Sequence, residues 1–92
     1  MVTARDKSLE GLRFPTYIRA ARGHAHYEPI EEDATIFATI PDFDGLWAVG
    51  DTREAAEIEL ASVLEGWVLL GIAHHHPIPI VDGIDLNVHA VA

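Results

Sequence analysis

Three consecutive histidines, His74, His75 and His76, are the residues whose type first suggests chemistry, because imidazole nitrogen is a common zinc ligand. Pro77 and Pro79 follow them and predict an extended segment rather than a helix. Neighbouring side chains of an extended segment point to opposite sides, so only His74 and His76 would share a face. Two ligands are too few for a tetrahedral zinc site. We therefore predict no metal site there, although further histidines elsewhere could converge on it: His24, His26 and His89.

Carboxylates form two clusters, Glu31-Glu32-Asp33 and Asp42 with Asp44. A two-metal nuclease needs several carboxylates around one cleft. These residues instead fall in predicted turns, where aspartate is an ordinary turn-forming residue. The chain has no cysteine, its two serines lie in a polar N-terminal segment and within a predicted helix, and no glycine-rich phosphate loop occurs. We predict that the protein is not an enzyme and has no cofactor.

The net charge of −9 is unevenly distributed along the chain. Five of the six basic residues lie in the first 22 positions, whereas the sequence from Gly23 onward has 13 acidic residues and one basic residue, Arg53. Such a body repels phosphate backbones and attracts a basic partner. The alternative is an acidic surface that only maintains solubility.

Ninety-two residues predict one domain, of which 49% are hydrophobic. That exceeds what one two-layer core needs and favours burial against another subunit, with a dense monomeric core as the alternative. The absence of cysteine fits a reducing compartment. No apolar run approaches the length of a signal peptide or of a bilayer span. We expect a cytoplasmic protein that has no membrane contact.

The N-terminal residues 1–13 lack periodicity and predict a loose basic tail, followed by a single domain over residues 14–92. Pro15 suits the first turn of a short helix that ends near residue 24. Extended segments over 25–30, 35–40 and 46–49 predict an antiparallel three-stranded meander with Pro29 at its edge. Ile36, Ala38 and Ile40 share one sheet face, and Phe37 on the other face is a candidate oligomer contact.

A long amphipathic helix is predicted over residues 52–71, with Asp51 or Thr52 as its N-cap and Gly71 as its stop. Its predicted apolar stripe is Ala56, Leu60, Val63, Trp67 and Leu70. Alternation over residues 84–90 predicts a final strand. The fold class is therefore α+β, a two-layer βββαβ arrangement of a small antiparallel sheet packed on one long helix, with an extra short N-terminal helix.

Phe43 between Asp42 and Asp44 at a predicted loop tip is a candidate protein contact. The alternative is that its ring folds back over the core. The predicted partner-binding set combines this residue with the acidic turns: Glu31, Glu32, Asp33, Asp42, Phe43 and Asp44.

The ordered series His26-Tyr27-Glu28, the EED turn, ATIFATIPDFDGLWAVGDT and HPIPIVDGIDLN resembles the HicB-like antitoxin family, in its short single-domain form. This resemblance implies a degraded ribonuclease-H-like or ferredoxin-like half, a homo-oligomer, and a small basic HicA-like ribonuclease toxin as partner. Longer members append a DNA-binding module for which the sequence up to Ala92 has no room, so DNA binding by that route is not expected, and no direct DNA binding is expected from the acidic body. The leading hypothesis is toxin neutralisation; the alternative is an orphan oligomeric scaffold or regulatory binding module.

Overall fold

A computed structural model describes residues 2–30, 32 and 34–87, and for residues 2–12 it describes the backbone alone. The elements follow in the order α1 (Val2–Gly23), β1 (His26–Ile30), β2 (Thr35–Thr39), β3 (Trp47–Gly50) and α2 (Arg53–Ala73). The three strands form one antiparallel sheet in the order β1-β2-β3, and α2 packs across one of its faces. The predicted α+β class, with a small antiparallel sheet on a long helix, is confirmed.

The register places β2 in the centre, with Ala38 opposite both Tyr27 of β1 and Ala48 of β3. Ala38 and Ala48 are buried under α2, which confirms the predicted inward face of β2. Pro29 lies in β1, an edge strand of the sheet, which is where proline is tolerated because it cannot donate to a ladder. The β1–β2 turn and the β2–β3 turn consequently lie at opposite ends of the sheet, about 14 Å apart for a strand of this length.

The N-terminus of α2 is capped by Thr52, whose hydroxyl accepts a hydrogen bond from the Ala55 backbone N–H at 3.0 Å. The prediction of Asp51 or Thr52 thus resolves to Thr52. Helix α2 buries a stripe at successive steps of four and then three residues: Ala56, Leu60, Leu64, Val68 and Gly71. The predicted stripe was correct at its first two positions and wrong at Leu70, which is 62% exposed. Because α2 carries apolar residues on several sides, the spacing of apolar residues in the sequence did not by itself determine which side of the helix faces the sheet.

The predicted stop at Gly71 is wrong, because α2 continues to Ala73. His75 adopts the left-handed conformation (φ 58°), its N–H donates to the Ile72 carbonyl, and the His76 N–H donates to the Gly71 carbonyl. This pair of bonds is the Schellman arrangement that ends helices. Gly71 has a different purpose: a Cβ there would lie 2.4 Å from Ile78 Cδ1, so glycine admits the segment that passes over the helix.

Helix α1 begins at Val2, so the helix starts well before the predicted Pro15 and includes residues predicted as a tail. Pro15 lies inside α1, where it removes one backbone hydrogen bond but does not stop the helix. Tyr17, Ile18 and Ala21 of α1 are buried in the core. The division of the chain at residue 13 stays a prediction.

The C-terminal segment is held by side-chain and turn contacts rather than by a sheet ladder. The Asn87 side chain accepts from the Ile78 N–H at 2.6 Å and donates to the Ile78 carbonyl at 2.9 Å. Asp82 and Gly83 both have positive φ and turn the chain so that Val81 and Ile84 bond to each other. The predicted strand over 84–90 is therefore absent over 84–87, and its remaining positions lie outside the described residues.

Three aromatic rings link the elements of the core. Phe43 lies 6.4 Å from the Tyr17 ring of α1 and 5.0 Å from the Trp67 ring of α2, measured between centroids. The Tyr17 hydroxyl donates to the Pro79 carbonyl at 2.5 Å, and the Trp67 indole N–H donates to the Asp44 carbonyl at 3.2 Å. Over the part of the chain that is described, neither helix combines the length and apolar character that a bilayer crossing requires.

Candidate protein-binding surfaces

Phe43, one of the predicted partner contacts, folds back over the core and is 4% exposed. The alternative in which the ring covers the core is therefore correct, and the alternative of an exposed contact at the loop tip is wrong. Asp42 at the start of the loop takes a positive φ of 73°, and the Phe43 N–H donates to the Ile40 carbonyl. This tight turn directs the ring inward while both flanking aspartates remain exposed.

The predicted acidic turns do not form one cluster. Glu32 is exposed in the β1–β2 turn. Asp51 and Glu54 lie at the same end of the sheet, because Gly50, which precedes them, pairs with Ile36 at the start of β2. Asp42 and Asp44 lie at the opposite end. Glu31 and Asp33 lie outside the described residues. The structure thus separates the predicted acidic partner-binding residues into two corners.

A further exposed surface, separate from the acidic turns, runs along α2 on the side away from the sheet. We call it the outer helix face and define it by Ile58, Ser62, Gly66 and Leu69, which recur at helical spacing. Ile58 is 65% exposed and Leu69 is 54% exposed. Successive residues of an α-helix are rotated by about 100° around its axis. This rotation places Glu54 and Glu65 on one side of the row and Glu59 on the other side.

The charges around the outer helix face are not equally available. Glu65 lines a cleft together with Arg19 and Arg22 of α1, so cations of the same chain lie near it. Glu54 and Glu59 are exposed. The two carboxylates on opposite flanks are therefore the ones that a basic partner would meet.

Gly66 stands out among the glycines within or beside α2. A Cβ at Gly50 would lie 2.3 Å from the Ala56 backbone nitrogen, and one at Gly71 would strike Ile78, so both are required by close contacts within the chain. A Cβ at Gly66 would meet nothing within 4 Å. Glycine inside a helix costs roughly 1 kcal/mol relative to alanine. No described contact within the chain accounts for this cost.

A second exposed apolar surface is the sheet face that points away from α2. We call it the outer sheet face; its apolar members are Ile30, Phe37, Trp47 and Val49. The Phe37 and Trp47 rings stack with centroids 6.1 Å apart, and Trp47 is 57% exposed. Phe37 thus lies on the predicted face. Trp47 was not predicted as a contact residue, although its alternation with buried Ala48 indicates an outward side chain.

The outer sheet face carries little charge. Its outward positions include one carboxylate, Glu28, which lies opposite Phe37 in the register, and one imidazole, His26. The remaining outward positions of β2 are the threonines Thr35 and Thr39. Both exposed faces are thus apolar at their centres; among the described residues, Glu54, Glu59 and Glu65 flank the outer helix face and Glu28 lies on the outer sheet face.

The histidines have structural positions. His74 is the C-cap of α2, and its ring centroid lies 5.8 Å from that of His76. His24 Nε2 and Asp82 Oδ1 are 2.8 Å apart, which fastens the end of α1 to the C-terminal segment. Within the described residues no three histidine, aspartate or glutamate side chains form a group that could hold a metal ion. His89 lies outside those residues.

Both tyrosines have a raised pKa. Burial, with a further contribution from the Asp85 carboxylate, raises the pKa of Tyr17 to about 12. Burial also raises the pKa of Tyr27, as does Glu57, while Arg53, whose guanidinium lies 4.4 Å from the ring centroid, acts in the opposite direction. Both phenols are thus neutral at physiological pH, and the upward shifts reflect their packing within the fold.

Comparison with known proteins places this arrangement in a family. A family model described as UPF0150-like matches residues 16–79, which is more than half of the chain. A crystal structure of TTHA0281 from Thermus thermophilus is similar, with a TM-score of 0.75 and 26% sequence identity over 85% of this chain and 96% of that one. No match is found among curated proteins. On the strength of the family model, this chain belongs to the UPF0150-like family.

Proposed function

We propose that this chain is a HicB-like antitoxin-type protein that binds and neutralises a small basic mRNA-cleaving toxin. Membership of the UPF0150-like family, which is associated with HicB-like toxin–antitoxin proteins, supports this proposal. The net charge of −9 supports it independently, because it favours encounter with a basic protein and disfavours nucleic acid. The role proposed is binding rather than catalysis.

The outer helix face is the observation that carries the proposal. Ile58 and Leu69 supply an apolar centre, and burying each further against a partner would contribute on the order of 1 kcal/mol. Glu54 and Glu59 on the two flanks complement a basic rim. Gly66 between the apolar residues would let a partner backbone approach α2 closely.

The chain would inhibit the ribonuclease by competing with RNA for its positively charged surface. A ribonuclease that binds mRNA needs a positive surface for the phosphate backbone. An acidic protein that occupies this surface excludes RNA from it. The acidic turn residues Glu32, Asp42 and Asp44 would add long-range attraction from both ends of the sheet.

Co-purification with the product of an adjacent reading frame that encodes a small basic protein tests the proposal. The complex should form at about 50 mM salt and weaken strongly by about 500 mM, since screening shortens the range of charge attraction. It should also suppress RNA cleavage by the basic protein. Failure of the chain to bind that protein at low salt would contradict the proposal.

A charge-reversal pair locates the contact. The double variant Glu54→Lys/Glu59→Lys should weaken the complex roughly 30- to 100-fold, as expected for two close charge pairs. Glu28→Lys is the matched control for the single variant Glu59→Lys, because it changes the net charge by the same amount at an exposed position of the outer sheet face. Equal weakening by both variants would favour unspecific attraction over contact at the outer helix face.

An orphan oligomeric scaffold or regulatory module is the second candidate function. The outer sheet face favours it, because Trp47 and Val49 expose apolar surface in a region poor in charge. Self-association without any binding to a basic protein would support this candidate over the first.

A further inference from the structure

We infer that the basic partner binds by adding a strand to the free edge of β3, an inference that rests on the proposed function. Strand β3 ends the sheet order β1-β2-β3 and pairs with β2 on one side. About half of its backbone N–H and C=O groups therefore point away from β2. Within the described part of the chain, no other backbone group bonds to them. An extended segment of a partner can bond to such an edge as a further strand.

The edge of β3 lacks the residues that usually prevent strand pairing. Lysine, proline and bulges are common on sheet edges because they hinder the addition of a further strand. Strand β3 reads Trp-Ala-Val-Gly, and its register with β2 is unbroken from Trp47 to Gly50. The other edge strand, β1, contains Pro29, which has no N–H to donate. Of the two edge strands, β3 is therefore the one that is open to pairing.

Helix α2 runs alongside this edge. A Cβ at Gly50 would lie 2.3 Å from the Ala56 backbone nitrogen, so the first turns of α2 lie against the end of β3. The Trp67 indole N–H donates to the carbonyl of Asp44, which precedes β3. The helix segment between these two contacts, residues 56–67, is therefore level with β3.

The side of this segment that lies above the free edge carries Glu59 and Val63. Glu57 lies on the other side, towards β1, since it bonds to Arg53, whose guanidinium lies over the Tyr27 ring of β1. A rotation of about 100° per residue directs Glu59 and Val63 away from β1, which is the direction of the free edge of β3. Val63 is half-buried and Glu59 is exposed, so an added strand would meet an apolar and an acidic side chain there.

Carboxylates border the free edge and favour a basic strand as its occupant. Four exposed acidic residues lie beside the edge or near its two ends: Glu59, Asp44, Asp51 and Glu32. Glu31 and Asp33, the sequence neighbours of Glu32, have the same sign of charge. The described arginine side chains belong to α1 or, for Arg53, lie over β1. A second copy of the chain would bring like charges together, so this edge is better suited to a basic protein.

The length of β3 and its surroundings define the strand that fits. Four residues offer about four main-chain hydrogen bonds to a partner, so side chains must supply the specificity. Every second side chain of an added strand would point towards α2. Lysine or arginine at these positions would pair with Glu59 and lay its aliphatic part against Val63. We therefore expect the partner to contribute an extended segment in which basic residues alternate with other residues.

Backbone hydrogen exchange followed by NMR tests this inference, on the chain alone and with the product of an adjacent reading frame that encodes a small basic protein. In the free chain, the β3 amides that point to the free edge should exchange faster than those bonded to β2. Formation of the complex should slow exchange at the free-edge amides of β3 roughly tenfold or more. Exchange at the amides of β1 should stay unchanged.

A proline variant provides the second readout. Adjacent residues of a strand direct their N–H groups to opposite sides, so the exchange pattern identifies whether Ala48 or Val49 donates towards the free edge. Ala48→Pro or Val49→Pro, whichever removes the free-edge donor, should weaken the complex roughly tenfold or more. Serine at the same position keeps the N–H and is the matched control, which should bind more tightly than the proline variant. Thermal unfolding reports whether each variant remains folded.

The outcomes separate this inference from the proposed function. A complex in which the free-edge amides of β3 exchange as fast as in the free chain would overturn the inference and leave the proposed function standing. Absence of any complex at low salt would contradict both. Protection of the same amides in the chain alone, increasing with its concentration, would assign the edge to a second copy and would also overturn the inference.

Discussion

The outer helix face and the outer sheet face both expose apolar side chains, but they differ in the charge around them. Ile58 and Leu69 lie between Glu54 and Glu59, whereas Trp47 and its neighbours adjoin one carboxylate, Glu28. Apolar exposure alone indicates only that a surface can be covered. The surrounding charge distinguishes the two proposals: the carboxylates beside the outer helix face support contact with a basic protein, whereas the outer sheet face supports the second candidate function.

The two faces also lie on opposite sides of one small core, so both can be occupied at once. Helix α2 contributes its buried stripe to the sheet and its outer face to solvent. A variant on one face should therefore change the binding at that face alone, whereas a variant in the shared core should affect both faces.

Phe43→Ala gives the largest expected effect, because it damages that shared core. Loss of a buried ring that contacts both Tyr17 and Trp67 should lower the free energy of unfolding by about 3 to 4 kcal/mol. Phe37→Ala, on the outer sheet face, should cost only about 1 kcal/mol. Urea unfolding of both variants compares them. A small loss for Phe43→Ala would contradict its position in the core and restore it as a surface contact.

Alkaline pH should destabilise the scaffold through Tyr17. The pKa of about 12 in the folded protein exceeds the ordinary value of 10, so folded chains keep a proton that unfolded chains release. The stabilisation is complete below about pH 10 and is lost as pH rises towards 12, up to roughly 2 to 3 kcal/mol. Urea unfolding at successive pH values measures this slope.

Tyr17→Phe provides the control for that titration. The variant loses the hydrogen bond to the Pro79 carbonyl at every pH, but its stability should fall less steeply above pH 10. The remaining slope reports Tyr27, whose pKa is also raised. Ultraviolet titration of the wild-type phenols should show two late transitions, and ordinary titration of both near pH 10 would refute the burial argument.

Gly66→Ala should change the stability of the chain and its affinity for the basic partner in opposite directions, with smaller effects than the variants above. Alanine should stabilise the isolated chain by roughly 0.5 to 1 kcal/mol, because it favours the helix and meets no other atom. The same methyl group should weaken binding of the basic partner several-fold if a backbone approaches there. Thermal unfolding and calorimetric titration measure the two quantities. Unchanged binding would show that the partner does not approach α2 at this residue.

The sequence predicted most elements because their signals are local. Alternation marked β2, and Thr52 marked the start of α2. The end of α2 was not predictable in this way, because Gly71 resembles a stop signal but instead accommodates Ile78, a tertiary contact. Likewise, Pro15 resembles a helix start yet lies within α1.

The binding surfaces were predicted only in part, for a similar reason. Adjacent carboxylates in the sequence suggested one acidic site, but the sheet places Glu32 and Asp42 at opposite ends. For Phe43 the sequence left two alternatives open, a contact at the loop tip and a ring folded over the core, and the turn at Asp42 directs the ring inward. The outer helix face became visible once the phase of the buried stripe was known, since that phase leaves Ile58 and Leu69 in solvent.

Sedimentation velocity across a salt series compares the two faces, on the chain alone and on the chain mixed with the product of an adjacent reading frame that encodes a small basic protein. We expect the complex with the basic protein to dissociate as salt rises, because screening weakens attraction between opposite charges, whereas self-association through an apolar face should persist. A complex whose affinity does not depend on salt would contradict the proposed contact of a basic partner with the carboxylates of the outer helix face.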